Sequence, residues 1–201
     1  IDYVHSKGIR LGLVTNPEEG IYPHEQYYKN AADYLGVTDN KIIMFDPLNP
    51  KLLDVYFKVF LHPLEELGVD FFWSDYKGNS NLTNLWFYNH YLYLDSGRKA
   101  EKRSMILARN GIFAPQRYPI LYGGSSEISW KNLKELPFMY LNAANIGVSW
   151  WSHDVGGNHG GIEDGELYLR YVQLSTFGPI LRFHGARGKY YKKEPWVWDT
   201  K

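Results

Sequence analysis

The sequence contains no cysteine in 201 residues. This excludes a disulfide scaffold, a thiolate zinc site and a thiol nucleophile, and it fits either redox compartment. There is also no excess of charge, because 22 basic side chains balance 22 acidic ones. Without a run of Lys or Arg, the chain offers no clustered positive charge to nucleic acid or to an anionic membrane. We therefore expect neither as a partner.

Long hydrophobic runs are missing too. No stretch reaches the ~18 apolar residues of a membrane span, and no signal-peptide pattern follows Ile1. Apolar residues nevertheless make up 44% of the chain, which is enough for a large core. The sequence starts without methionine, inside an apparent helix, so we expect a piece of a longer protein.

Compact apolar runs that end in polar residues predict six β-strands. They lie at residues 9–14, 71–73, 105–108, 118–122, 146–151 and 178–184. Apolar residues at helical spacing predict helices at 24–35, 50–67, 85–94, 130–144 and 166–177. Asn49-Pro50 and the glycines at 36 and 68 are typical helix start and stop signals.

Alternating strands and helices predict an α/β fold with parallel strands, either an open doubly wound sheet or a closed barrel. An open sheet gathers its ligand groups at one switch point. Here polar residues follow five successive strands, namely Asp75, Arg109, Ser125, Asp154 and His184. This distribution favours a TIM barrel, in which such side chains share one rim.

A complete (β/α)₈ barrel needs roughly 250 residues. We therefore expect residues 1–201 to be a single domain holding strands three to eight of a partial barrel, with two βα units upstream of Ile1.

The run Phe71-Phe72-Trp73-Ser74-Asp75 places one carboxylate after a strand of apolar residues. Asp75 is either a turn or cap residue, or a side chain that faces a cleft. In a cleft, a carboxylate can act as a nucleophile and leave again in a second step.

Other polar and aromatic residues near strand ends have two interpretations each. Arg109 either donates to a carboxylate or a sugar, or forms a simple salt bridge. Asp154 with His184 can bind vicinal hydroxyls, although a lone histidine is more often a partly buried core residue. Trp73 and Trp151 can stack on a pyranose ring or pack in the core.

A metal site is a weaker interpretation. His153, Asp154 and His159 are metal-binding residue types, but no ligand set at i, i+4 spacing accompanies them. We expect no metal and no other cofactor.

Five motifs occur in one order along the chain. They are Trp73-Ser74-Asp75, Ala108-Arg109-Asn110, Gln116-Arg117-Tyr118-Pro119, Trp150-Trp151-Ser152-His153-Asp154-Val155-Gly156-Gly157 and Arg182-Phe183-His184. In order and spacing they resemble the barrel of glycoside hydrolase family 31, the α-glucosidase and α-xylosidase family. The loop at residues 16–20 with His24-Glu25 is similar to the bacterial branch of that family.

The resemblance implies a retaining α-glycosidase that acts on an oligosaccharide or other α-glycoside. Asp75 falls at the position of the nucleophile, and Arg109, Asp154 and His184 fall where the family binds sugar hydroxyls. It also implies further catalytic chain and flanking β domains.

One position departs from the family. The general acid/base aspartate is expected at residue 125, where the chain has Gly124-Ser125-Ser126. Serine does not protonate a leaving group at neutral pH, and general acid catalysis contributes ~10²–10⁴-fold. Either Glu127 supplies the proton from a shifted loop, or the protein is an inactive sugar-binding relative, or the position was altered deliberately.

A sugar-phosphate barrel enzyme is a third class of function. It needs glycine-rich strand ends with backbone donors for phosphate. Gly156-Gly157 and Gly160-Gly161 are the candidates, but Asp154, Glu163 and Asp164 surround them with negative charge, which disfavours phosphate.

Overall fold

The computed structural model describes residues 1–78, 81–99, 102–109, 114–118, 120–161, 163–186 and 192–198. The chain divides into two compact units, Ile1–Phe113 and Ala114–Lys201. Asn110 and Pro119, which belong to two of the sequence motifs, lie outside the described residues.

The first unit carries three parallel strands, β1 (Gly12–Thr15), β2 (Phe71–Ser74) and β3 (Ile106–Arg109). Thr15 pairs with Ser74, and Ser74 pairs with Ala108, so the three strands end at one level. Its helices are α1 (Asp2–Ser6), α2 (Tyr28–Leu35), α3 (Pro50–Val55), α4 (His62–Glu66) and α5 (Leu82–Ser96). The expected alternation of strand and helix is confirmed in this unit.

The second unit contains β4 (Ile120–Tyr122), α6 (Trp130–Asn145), β5 (Trp151–Ser152) and α7 (Gly165–Ser175). Leu121 pairs with Trp151 in a parallel register. Ile128, Leu136, Val155, Leu167 and Tyr171 form its buried core. The 3₁₀ turns Pro115–Arg117 and Pro195–Val197 lie near its two ends. In the described part of the chain, no helix is both long and apolar enough to cross a membrane.

Local sequence signals correctly predicted the start of α3. The Asn49 side chain accepts from the amides of Lys51 and Leu52, and Pro50 needs no partner at the first helical position. The helix runs through a π-helical turn, Tyr56–Leu61, into α4. Pro63 has no amide to donate and its ring crowds the preceding turn, which the wider π turn accommodates.

The fifth predicted strand is much shorter than expected. Residues 146–151 were expected as a strand, but β5 contains only Trp151–Ser152. Gly147 has φ +79°, and the Val148 amide donates to the carbonyl oxygen of Ala143, so this stretch ends α6 instead.

The sixth predicted strand, at residues 178–184, is not formed in these described residues. Backbone bonds there go to the loop after β5, since the Val155 amide donates to Arg182 and the Ala186 amide to Asn158. Pro179 also has no amide to contribute to a ladder.

The cap at Asn49 provides a test of local stability. Asn49→Ala in the full-length protein should cost about 1 kcal/mol locally, because two amides lose their acceptor. Amide exchange in α3 should then accelerate about fivefold. Asn49→Asp keeps the acceptor and should exchange like the wild type. Equal exchange in the alanine variant and the wild type would contradict this account of the helix start.

Candidate active site

Asp75 follows β2 directly, as the sequence predicts. Its amide donates to the Thr15 carbonyl oxygen at 2.9 Å, so the backbone at this residue is fixed to β1. Its Oδ1 accepts from Nη1 of Arg109 at 2.5 Å, and the Asp75 side chain keeps 28% exposure. The sequence left open whether Arg109 binds a carboxylate or a sugar, and the structure pairs it with Asp75. The carboxylate is oriented from one side and still accessible to a ligand.

Buried polar contacts fix the strand ends beneath Asp75. Ser74 Oγ donates to Oδ1 of Asn89 at 2.7 Å, and the hydroxyls of Thr15 and Tyr88 lie 3.1 Å apart. Burial raises the pKa of Tyr88 well above its usual value, so its hydroxyl stays neutral. Trp73 lies half-buried between Phe72 and Ser74, which are both buried. These contacts tie β1 and β2 to α5.

Asp154 lies in the second unit and has no exposed side-chain surface. Its Oδ1 forms an ion pair with Nη2 of Arg182 at 2.6 Å, and its Oδ2 accepts from the Tyr122 hydroxyl at 3.4 Å. Arg182 also donates from Nε to Ser152 Oγ at 2.9 Å, and its guanidinium lies 4.4 Å from the centre of the Tyr122 ring. The carboxylate predicted to bind sugar hydroxyls is thus held within an ion pair, and its contact with a sugar stays a prediction.

Ser125 is exposed in the loop after β4, with its Oγ 3.0 Å from the Tyr122 hydroxyl. Glu127, two residues later, has an exposed side chain. Tyr122 therefore contacts both Asp154 and Ser125. A hydroxyl–hydroxyl contact gives Ser125 no acidic proton to transfer, whereas Glu127 carries an exposed carboxyl.

Backbone contacts join the loops after β4 and β5. The Asn158 amide donates to the Ser126 carbonyl at 2.7 Å, and the Ile128 amide donates to the His159 carbonyl at 2.9 Å. A Cβ on Gly157 would lie 2.8 Å from Cα of Ile128, and one on Gly161 would lie 2.1 Å from its carbonyl oxygen. These two glycines, both with positive φ, are thus explained by close backbone packing.

Trp151 and His153 pack inside the second unit. Trp151 stacks on the His153 ring and meets Tyr140 edge to face at 5.0 Å. The ring nitrogens of His153 lie 2.8 Å from the Tyr140 hydroxyl and 3.1 Å from that of Ser175. Both nitrogens are therefore engaged with α6 and α7. Among the described residues, no three carboxylate or histidine side chains converge as a metal site would require.

Arg182 and Tyr122 were not predicted as site residues. Arg182 belongs to the motif that led to the choice of His184, which is half-buried two positions later. Tyr122 is the last residue of β4, and in the sequence it reads only as one more residue of an apolar strand. The placement of all five strand-end residues around one rim stays a prediction.

A parallel β/α fold with polar side chains after its strands is typical of TIM-barrel enzymes. The family description "Glycosyl hydrolases family 31 TIM-barrel domain" matches residues 1–201. The chain therefore belongs to glycoside hydrolase family 31. Its homologues in the family are retaining α-glycosidases, and the expected partial barrel is confirmed.

Individual relatives are distant. Neutral alpha-glucosidase C of Homo sapiens is 24% identical across 98% of this chain and 26% of its own length. Alpha-xylosidase of Saccharolobus solfataricus is 25% identical across 98% of this chain and 30% of its own length. The chain thus spans less than a third of either relative.

Solved structures share the fold. An α-xylosidase of this family from Xanthomonas citri superposes with a TM-score of 0.77 at 20% identity, covering 99% of this chain and 27% of its own. A cycloalternan-degrading enzyme from Trueperella pyogenes, in complex with a covalent intermediate, gives 0.78 at 19% identity, covering 98% and 32%.

The buried histidine predicts a specific sensitivity to acid. Burial, together with the charge of Arg182, lowers the pKa of His153 to about 4, against about 6.5 in an unfolded chain. As pH falls from 6.5 towards 4, His153 becomes protonated in the unfolded state but stays neutral in the native state. His153 should therefore cost up to about 3 kcal/mol of stability over this range.

Thermal unfolding of the full-length protein between neutral pH and about pH 4 measures this loss. His153→Gln cannot titrate and should flatten the pH dependence, whereas His159→Gln at an exposed position should leave it unchanged. Identical slopes for wild type and His153→Gln would show that the histidine does not titrate as argued.

Proposed function

We propose that the protein containing this chain is a retaining α-glycoside hydrolase for gluco- or xylo-configured sugars, and that Asp75 is its nucleophile. In this proposal residues 1–201 form one fragment of the catalytic barrel, followed or preceded by β domains. The observation that carries it is the accessible carboxylate after β2, oriented by Arg109. The names of the relatives, α-glucosidase and α-xylosidase, support the sugar class.

The chemistry proceeds in two displacements. A carboxylate oxygen of Asp75 attacks the anomeric carbon, the glycosidic C–O bond breaks, and the leaving oxygen takes a proton or departs as a stable phenolate. Water then attacks the same carbon, gives up a proton to a base, and releases the Asp75 carboxylate. Two inversions return the original α configuration.

Arg109 leaves only part of the Asp75 carboxylate for the attack, which fixes the direction of approach. In this proposal Trp73 would offer a flat apolar face to the sugar, and Trp151 would do so only with the ring surface that His153 and Tyr140 leave uncovered. His184 with Asp154 would bind sugar hydroxyls. For Asp154 this requires that a hydroxyl joins or displaces its contact with Tyr122.

The first prediction on function concerns the nucleophile. A 2-fluoro or 5-fluoro α-glycosyl fluoride should label the full-length protein at Asp75, because fluorine slows hydrolysis of the ester. Peptide mapping by mass spectrometry locates the label. Asp75→Asn should take up none. A label on Asp154 or Glu127 would overturn the assignment.

The source of the catalytic proton separates two versions of the proposal. Ser125 contacts Tyr122 and has no acidic proton at neutral pH, while Glu127 carries an exposed carboxyl two residues later. If Glu127 is the acid and base, the enzyme is complete. If nothing replaces the missing aspartate, the protein is weakened or only binds carbohydrate.

Leaving groups and azide distinguish these versions. If Ser125 occupies an empty acid position, azide should accelerate turnover of an aryl α-glycoside and give a glycosyl azide of retained configuration, because azide needs no deprotonation. Ser125→Asp should then improve cleavage of poor leaving groups by ~10²–10⁴-fold. Product analysis and kinetics measure both.

If Glu127 is the acid instead, azide should have little effect on the wild type, and Glu127→Gln should create azide dependence. Glu163→Gln is the matched control, because Glu163 is an exposed carboxyl that pairs with Lys192, and it should behave like the wild type. No turnover of activated α-glycosides, no azide effect and no gain from Ser125→Asp would together refute hydrolysis and leave carbohydrate binding.

A further inference from the structure

Lys193 is a buried cation that the proposed chemistry does not use. Its side chain is enclosed within the second unit, with the whole residue 9% exposed. The ammonium donates to the backbone carbonyl oxygens of Gly156 at 2.8 Å and Gly157 at 2.5 Å. A buried ammonium is costly unless such partners are present, so this placement calls for an explanation beyond surface charge.

The backbone of Lys193 is itself anchored. The Tyr168 hydroxyl, from α7, donates to the Lys193 carbonyl oxygen at 2.7 Å. The Tyr168 ring stacks on Trp198 with centroids 4.6 Å apart and planes at 11°. The Lys193 amide donates to the Glu194 carboxylate at 3.1 Å. The residues at 192–198 are thus attached to α7, and the ammonium starts from a fixed base.

The two carbonyl groups belong to the loop that begins at Asp154. Gly156 and Gly157 have φ of +84° and +72°, and the Gly157 amide donates to the Asp154 carbonyl at 2.9 Å. One residue further, the Asn158 amide donates to the Ser126 carbonyl. The ammonium of Lys193 therefore binds carbonyls two and three residues after Asp154, in a loop whose next residue bonds to the loop of Ser125.

We propose that Lys193 is a positioning residue for the reaction, which holds the loop after β5 through the Gly156 and Gly157 carbonyls and so fixes Asp154 and the adjoining loop of Ser125. The inference rests on the proposed function. Charge-assisted bonds to the two carbonyls are stronger than neutral ones, and positive-φ glycines have no side chains to hold them in place. Burial lowers the pKa of Lys193 to about 8, opposed by the charge of Asp154, so the ammonium form prevails at neutral pH.

The direct test compares two neighbouring lysines in the full-length protein. Lys193→Met keeps an unbranched apolar stem but lacks the ammonium, so both carbonyls lose this donor. Lys192→Met is the matched control, because Lys192 is exposed and pairs with Glu163 at 2.9 Å. Hydrolysis of an aryl α-glycoside should lose about 10- to 100-fold in kcat in Lys193→Met, since small displacements of reacting groups cost that much. KM should change far less, and the control should match the wild type.

Chemical rescue separates positioning from packing. In Lys193→Ala, added propylammonium should restore kcat by supplying the missing charge, whereas propanol of similar size should not. Restoration by both, or by neither, would assign Lys193 to packing alone. The rescue also serves as the test if Lys193→Met does not fold.

Amide hydrogen exchange in residues 154–161 tests the same inference and does not depend on enzyme turnover. Exchange should accelerate in Lys193→Met and not in Lys192→Met, and unchanged exchange would overturn the inference. A wild type without turnover or azide effect, together with no gain from Ser125→Asp, would refute the proposed hydrolysis, while exchange would still decide whether Lys193 holds the loop. The two failures are therefore distinguishable.

Discussion

A buried carboxylate needs a nearby counter-charge, and the pair of Asp154 with Arg182 meets this need in the second unit. Arg182 lies in a segment without strand structure, yet its contacts with Asp154, Ser152 and the Tyr122 ring fix it to both strands of the unit. Removing either charge would leave the other buried and unpaired, which is far more costly than breaking an exposed pair. The ion pair therefore joins the segment around Arg182 to the loop after β5.

The pair of Asp75 with Arg109 obeys the same electrostatics with a different outcome. More than a quarter of the Asp75 side chain remains exposed, whereas Asp154 is enclosed. An exposed carboxylate can contact a substrate, whereas an enclosed one stabilises the surrounding structure. Asp75 directly follows β2 and Asp154 lies two residues after β5, and these two aspartates differ in what they can do. The two partner arginines are almost equally buried, so the difference lies in the burial of the aspartates themselves.

Helix starts and strand ends followed from local chemistry, which is why Asn49, Gly36 and the boundary before Asp75 could be predicted. The strands expected at 146–151 and 178–184 failed because their apolar composition says nothing about backbone partners, which the fold supplies from elsewhere. The site was predictable where a family motif marks it. The partner of Arg182 and the burial of Lys193 depend on contacts between residues that are far apart in the sequence, so no local sequence pattern predicts them.

The glycine-mediated packing of the loop after β5 on Ile128 has a consequence for diversification. Two backbones in such close contact cannot accept insertions or side chains independently, because a change in one displaces the other. New specificities in this part of the barrel should arise by exchanging both loops together. A chimera that takes one loop from a relative and retains the other would inherit a mismatch at Gly157 and Gly161, whichever sugar the donor prefers.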